Sequence, residues 1–319
     1  MLKNTLRGIK LRWLLLLNGF RLEGKWLIKG DKRFEIIGND FLRNYVQIMS
    51  IMRLYPYFVS RGSKLECGAV HFDGNYGETE VNGISIRFYA KGDDFGDFSS
   101  VNFYSKPEII SKMGINGAEI YGYLVERDIM ENDTVFDCGS YYGHFALYAA
   151  KKARKGRVYC FEPDQENLKV LEKNIRLNNL NNVTIVPKAL SAKGGYVSFC
   201  SDGTARARIA GPTDRKVMEV ASISLEKFCN EMKIERVDFI KMDVEGAEID
   251  IVRGSESFIM ESCGFFAIAS YHIVDGKETA NELESIFRRM NFETNTDFPL
   301  HKTTYARNKR FASNPDQQR

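Results

Sequence analysis

Thr134-Val135-Phe136-Asp137-Cys138-Gly139-Ser140-Tyr141-Tyr142-Gly143 decides the fold of this chain: an apolar strand runs without interruption into a turn punctuated by two glycines. An unbroken apolar run of this length reads as a strand covered on both faces, because a half-exposed strand alternates and a helix needs a longer stretch. Outward from it the same texture recurs. Strands are expected at 134–138, 157–161, 183–186, 237–242 and 265–271, and helices at 145–154, 165–178, 225–233, 247–260 and 279–290. Short buried strands alternating with helices predict an α/β fold, a doubly wound and mainly parallel Rossmann-like sheet. A further strand pair, 196–200 with a segment near 217–222, is expected to extend one edge of that sheet.

In such a sheet, ligands bind outside the carboxyl ends of the strands, where the strand order reverses. The first of those ends carries Asp137 to Gly143 in a D-x-G-x-x-x-G pattern. Gly139 permits the sharp turn, Gly143 permits close approach at the next helix, and the backbone N–H groups there can meet an anionic group. The second strand ends in Phe161-Glu162-Pro163-Asp164. Glu162 follows Gly143 by about 20 residues, where an acidic side chain accepts both hydroxyls of a ribose. Pro163 and Asp164 then open the next helix, and a nucleoside site is the expectation. A dinucleotide requires G-x-G-x-x-G so that the chain can press against a pyrophosphate, and here Asp137 stands where the first glycine would be. A carboxylate would repel a pyrophosphate; it suits a cofactor that carries an ammonium and a sulfonium, which describes S-adenosylmethionine. Asp137, Gly139, Ser140, Tyr141, Tyr142 and Gly143 are therefore candidate cofactor contacts, as are Glu162, Pro163 and Asp164. Ala189, beyond the third strand, and Asp243, at the end of the fourth, complete the set.

The fourth strand continues as Ile240-Lys241-Met242-Asp243-Val244-Glu245-Gly246-Ala247-Glu248, with Arg253-Gly254 shortly after. Asp243 falls at the strand's carboxyl end and so faces the same crevice as Asp137 and Glu162. Glu245 follows on the turn, and Glu248 enters the first turn of the next helix, where a carboxylate also favours the helix N-terminus. Lys241 alternates with Asp243 along the strand and can pair with it or reach a cofactor carboxylate. His272, after the fifth strand, brings an imidazole with a convenient intrinsic pKa. Asp243, Glu245, His272 and Lys241 are the candidate catalytic residues, since they are the titratable side chains of these strand ends and can give or take a proton. Asp243, Glu245, Glu248 and His272 could also gather a hard divalent cation, but nothing in the spacing demands one and no metal is expected.

These blocks, and above all 240–248 with Arg253-Gly254, resemble the FkbM family of S-adenosylmethionine-dependent methyltransferases over about residues 119–307. The resemblance implies a class I methyltransferase fold and O-methylation of a hydroxyl on a sugar, glycan or related metabolite. Tyr141 and Tyr142 depart from the small residues usual in that family's turn, and Ser270-Tyr271-His272 keeps its His without the acidic residue two positions earlier. Competing readings are a nucleotide-dependent oxidoreductase or sugar-modifying enzyme on the same sheet, opposed by Asp137, and a non-catalytic cofactor-binding scaffold, opposed by the intact 240–248 block. A DNA base amino-methyltransferase would show paired prolines after the fourth strand; this chain has seven prolines, none adjacent.

The 319 residues are 44% hydrophobic and 27% charged, which excludes disorder, collagen and coiled coil. A net charge of +3 is too weak a field for nucleic acid, so a small-molecule or glycan acceptor is expected. Six scattered cysteines with no C-x-x-C pair argue against disulfides and structural zinc, and for the cytoplasm. Residues 1–25 gather Lys3, Arg7, Lys10, Arg12, Arg21 and Lys25 around a short apolar run, 13–17, that cannot span a bilayer. Such a segment packs on the body, packs on a second copy of the chain in a homo-oligomer, or lies on the inner membrane surface. A helix is expected between Asp40 and Pro56, a hairpin turn at Asn82-Gly83 and an exposed loop at 91–96. The expected organisation is a basic helical region over 1–60, a β-rich extension over 61–118, the methyltransferase domain over 119–310 and a flexible tail over 311–319.

Overall fold

The computed structural model describes residues 15–23, 26–29, 32–35, 52, 71–73, 76–81, 83–89, 118–200, 208–209, 217–298 and 302–311. The expectations for 1–14, for the loop at 91–96, for the tail from 312 and for the helix after Asp40 lie outside these residues, except that Met52 is helical and buried. The chain divides into two compact units, Met1–Ser85 with Phe95–Glu119, and Ile86–Asp94 with Ile120–Arg319. No described helix is long and apolar enough to cross a membrane.

In the first unit, β1 (Arg21–Glu23), β2 (Trp26–Lys29) and β3 (Lys32–Glu35) form an antiparallel sheet, and β4 (His71–Asp73) pairs antiparallel with β5 (Tyr76–Val81). The leucine run that precedes β1 splits: Leu15 is buried, whereas Leu16 and Leu17 are 65% and 80% exposed. β6 (Ile84–Tyr89) starts after Gly83, whose φ of 75° suits the Asn-Gly turn. Along β6, Ile86 and Phe88 are buried while Ser85 and Arg87 are exposed, the alternation of a half-covered strand.

The second unit continues through α1 (Ala118–Leu124), β7 (Thr134–Cys138), α2 (His144–Lys152), β8 (Arg157–Phe161), α3 (Gln165–Leu177), β9 (Val183–Val186), β10 (Ala189–Leu190), β11 (Gly195–Cys200), β12 (Arg208–Ile209) and β13 (Val217–Ile223). It is completed by α4 (Leu225–Met232), β14 (Val237–Met242), α5 (Glu248–Arg253), α6 (Glu256–Ser262), β15 (Cys263–Ala269), β16 (Ile273–Val274), β17 (Lys277–Glu278), α7 (Ala280–Arg289), β18 (Phe292–Asp297) and β19 (Thr303–Asn308). A seven-stranded sheet runs in the order β18-β19-β15-β14-β7-β8-β9. The five strands from β15 to β9 pair in parallel, β19 runs against them, and β18, antiparallel to β19, runs in the same direction as the five. The order reverses between β7 and β14, so the carboxyl ends of β7, β8 and β14 border the switch point.

Both faces of this sheet are covered, which is why its strands are apolar throughout. On one face Phe136, Ile240 and Phe266, which share a register row, pack with Phe228 of α4 and Phe287 of α7. On the other, Phe239 lies 5.8 Å from Phe145 of α2 and 5.1 Å from Phe265. Asp137 and Lys241 share a register row on that second face.

Two expectations are corrected. The helix expected over 247–260 is two helices, α5 and α6, because Ser255 leaves helical geometry at φ −134°. Gly254 stands at the break, where a Cβ would sit 2.5 Å from the backbone of Ala192. Gly254→Ala is expected to cost about 1–3 kcal/mol through that overlap, read as a lower denaturant midpoint at unchanged slope. The pair expected at a sheet edge forms its own four-stranded sheet, β10-β13-β11-β12. Pro187, which cannot donate to a ladder, ends β9, and the chain leaves the large sheet to pair Ala189 with Ser222. The edge is instead closed by β18 and β19, which were not anticipated because Thr, Asn and Glu mask an apolar run; their threonines were the available signal.

Candidate functional site

Gly139 and Gly143 are required by geometry. Gly139 has φ 76°, and a Cβ there would lie 1.9 Å from the carbonyl oxygen of Asp243. Gly143 has φ 82°, and a Cβ would lie 2.3 Å from Leu171 Cδ1. Four N–H groups of this turn are held by the chain's own oxygens. Gly139 N and Ser140 N donate to Phe161 O at 3.0 and 3.1 Å, Tyr141 N donates to Glu162 Oε2 at 2.8 Å, and Gly143 N donates to Ser140 O at 2.7 Å. The hydrogens of these four groups point at the chain's own oxygens and away from any anion in the crevice.

Glu162 follows the end of β8 and is 4% exposed. Its carboxylate accepts from Tyr141 N, from Asp164 N at 2.9 Å and from Asn167 Nδ2 at 3.3 Å. Burial outweighs these bonds and raises its pKa to about 7. A cavity of about 530 Å³, counting the solvent in its mouth, opens beside it. Gly139, Tyr141, Glu162, Pro163, Ala189, Asp243 and Glu245 line it, all named from the sequence. Asn167, Lys188, Leu190, Phe199, Ile209 and Val244 line it too and were not singled out; several come from β10 to β12, whose position the sequence does not reveal.

Other candidates lie elsewhere. Asp137 is fully buried, with Lys241 Nζ 3.1 Å from its Oδ1, and the same Nζ donates to Gly139 O at 2.7 Å. Neither residue is among those that line the cavity. Burial raises the Asp137 carboxyl, and Lys241 opposes that rise. Ser140 Oγ donates to Asp137 O, and Tyr142 is buried with its carbonyl accepting from Asn174 Nδ2 at 2.8 Å. Asp164 caps α3, accepting from Glu166 N at 2.8 Å and Asn167 N at 3.0 Å. Tyr141 adopts φ 51° and stacks on Tyr142, their centroids 3.8 Å apart.

A second group of side chains meets at the cavity wall. His272, 8% exposed, lies beyond β15; the expected strand to 271 stops at Ala269. Its Nε2 is 3.4 Å from Asp243 Oδ1 and 3.6 Å from Glu245 Oε2, and its Nδ1 is 3.0 Å from Glu248 Oε1. Glu248 is fully buried, and its Oε1 also accepts from Val244 N at 3.0 Å and Gly246 N at 3.3 Å, which fixes it. Tyr123 of α1, which sequence reading missed for lack of any motif, donates to Asp243 Oδ2 at 2.9 Å. Burial works against charge on His272, but Glu248, then Asp243 and Glu245, outweigh it and raise the pKa to about 9. Without a bound cation the ring is thus an acid at neutral pH, and the carboxylates are the proton acceptors.

Comparison with known proteins agrees with this arrangement. Residues 137–294 match the methyltransferase FkbM domain. Over 211 residues the chain is 24% identical to the hexuronic acid methyltransferase AglP of Haloferax volcanii, covering 64% of this chain and 78% of that one. It is also 24% identical over 151 residues to the 2-O-methyltransferase NoeI of Sinorhizobium fredii, covering 40% of this chain and 59% of NoeI, less than two thirds of its length. The methyltransferase FkbM structure from Methylobacillus flagellatus aligns with a TM-score of 0.45 at 17% identity, covering 85% of this chain and 63% of that one. The sheet order is that of a doubly wound α/β fold. Both acidic strand ends and the whole 240–248 block fall inside the matched residues, and residues 137–294, just under half of the chain, form a methyltransferase FkbM domain.

Proposed function

We propose that the protein is an S-adenosylmethionine-dependent O-methyltransferase that methylates a hydroxyl of a sugar, with a uronic acid or another glycan unit as acceptor. The observation that carries this reading is the chemistry of the switch-point cavity: Glu162, Asp243 and Glu245 line it, with Lys188 the one cation among the described lining residues. An acidic lining beside a turn whose Gly139, Ser140, Tyr141 and Gly143 N–H groups are already engaged suits a ligand that brings positive charge, and it opposes a pyrophosphate. Glu162 would take the ribose hydroxyls, and the glycine turn leaves room for the nucleoside at Tyr141 and Pro163. When bound, S-adenosylmethionine supplies an electrophilic methyl group. This chain's residues then have two tasks.

The first is alignment of the acceptor oxygen, which can supply up to roughly 7–11 kcal/mol of rate enhancement. The second is removal of its proton, worth about 10²–10⁴-fold. Asp243 and Glu245 stand on the cavity wall and can accept that proton, while Tyr123 and His272 hold Asp243 in place. AglP and NoeI are named for a hexuronic acid and for a 2-O position, which supports a sugar hydroxyl as the acceptor. The free thiols Cys138, Cys160, Cys200, Cys229 and Cys263 fit a reducing cytoplasm.

The test is calorimetric titration with S-adenosylmethionine, S-adenosylhomocysteine and NAD, followed by labelled methyl transfer to a panel of uronic acids and neutral sugars. Binding of both sulfur compounds and label on a sugar oxygen are expected. Binding of NAD alone would overturn the reading in favour of redox chemistry.

A further inference from the structure

We infer that Asp243, Glu245 and His272 form a binding site for one divalent cation at the wall of the cavity. One ligand atom from each, two carboxylate oxygens and an imidazole nitrogen, lies within 4.8 Å of the others. His272 Nε2 stands 3.4 Å from Asp243 Oδ1 and 3.6 Å from Glu245 Oε2. Two ligands held about 2.0–2.3 Å from one ion stand no more than about 4.6 Å apart, so those separations are ones a single ion can bridge.

Acidic clusters are common without ions, and the imidazole is what sets this one apart. The His272 side chain is more than nine-tenths buried, and its Nε2 makes no hydrogen bond although it is aimed between two carboxylates. Its other nitrogen faces Glu248, which is fully buried and held by two backbone N–H groups. A carboxylate behind Nδ1 keeps the proton of the neutral ring on that side and leaves the Nε2 lone pair directed into the cluster, the arrangement found behind metal-bound histidines. Tyr123 does the same for Asp243: its hydroxyl engages Oδ2, while Oδ1 faces His272.

Charge points the same way. Asp243, Glu245 and Glu248 surround a single imidazole, and their side chains are 15%, 19% and 0% exposed. Carboxylates brought this close repel one another, and a dication among them would offset that repulsion. Two carboxylates and one imidazole suit Mn²⁺ or a similar ion of intermediate hardness, with coordination positions left open on the cavity side. There the ion would take oxygen atoms of the acceptor, a role that rests on the methyl-transfer reading; the binding of the ion does not.

Chelator-treated protein titrated with Mn²⁺ and followed by electron paramagnetic resonance of the free ion should show one site. Glu245→Gln and His272→Ala should each weaken it at least tenfold. Glu248→Gln, which touches the ligand and not the ion, should weaken it about 10–100-fold. Glu226→Gln, an exposed carboxylate on α4, should leave it unchanged. No bound Mn²⁺ in the unmodified protein, or equal binding by the Glu245→Gln variant with its fold verified by circular dichroism, overturns the site. Titration of S-adenosylmethionine in excess chelator separates the two readings. Cofactor binding without any Mn²⁺ site removes the cation alone, and a Mn²⁺ site without cofactor binding leaves the cation and removes the methyl-transfer reading.

Discussion

Lys241→Met is expected to lower the stability of the protein by about 3–5 kcal/mol at pH 8, because it leaves Asp137 as a buried charge without its counter-ion. Lys241 Nζ is the cation 3.1 Å from a carboxylate with no solvent exposure, and it also donates to Gly139 O at the glycine turn. Methionine matches the stem of lysine but neither its charge nor its donors. Burial already raises the Asp137 carboxyl above its usual range, with Lys241 the main opposing influence. Without the lysine that folded-state pKa rises further. A carboxyl raised in the folded state contributes stability that is present below its unfolded pKa, about 3.9, and is lost as pH rises through the folded value. The defect should therefore shrink as pH falls, and denaturant midpoints for the variant at pH 8 and pH 5 check the sign. Asp137→Asn combined with Lys241→Met should recover most of the loss, since the double change removes both charges. A single variant as stable as the parent at pH 8 would show that the pair holds nothing together.

Glu162→Ala is expected to weaken S-adenosylmethionine binding by about 10²–10⁴-fold, through the loss of two hydrogen bonds. Each hydrogen bond from a ribose hydroxyl to a charged acceptor is worth about 1.5–3 kcal/mol, and about 1.4 kcal/mol is tenfold in affinity. The pH dependence is part of the same prediction. With the Glu162 carboxyl at about 7 in the free protein, the charged form that accepts two hydroxyls is lost as pH falls. Affinity should thus decline from pH 8 to pH 6 in the parent protein, and the variant should lose that slope. Glu162 also receives Tyr141 N and Asp164 N, so a thermal melt must accompany the titration to separate lost binding from a loosened turn. Unchanged affinity in a folded variant would move the ribose elsewhere.

The order of strands and helices was legible because buried parallel strands are written as apolar runs, and the ends of those runs carry the turn residues. β7, β8, β9 and β14 lie where those runs placed them. β18 and β19 were not legible, since an edge hairpin rich in Thr and Asn lacks that signature. The glycine turn was read from spacing alone, and its requirement is steric: Gly139 lies against the Asp243 backbone, a neighbour about 100 residues distant that no local pattern announces.

By itself, then, the sequence determined the doubly wound sheet, the two glycines of the turn and the acidic strand ends, because local periodicity and backbone conformation govern those features. Tertiary structure decided how the carboxylates divide their labour. Asp137 and Asp243 look alike in sequence, each at the end of an apolar strand. The register that pairs Asp137 with Lys241 buries one, and the turn that follows β14 sets the other on the cavity wall beside His272. Burial and the partner across the sheet, which depend on chain segments far apart, separate a structural ion pair from a group that can meet a ligand.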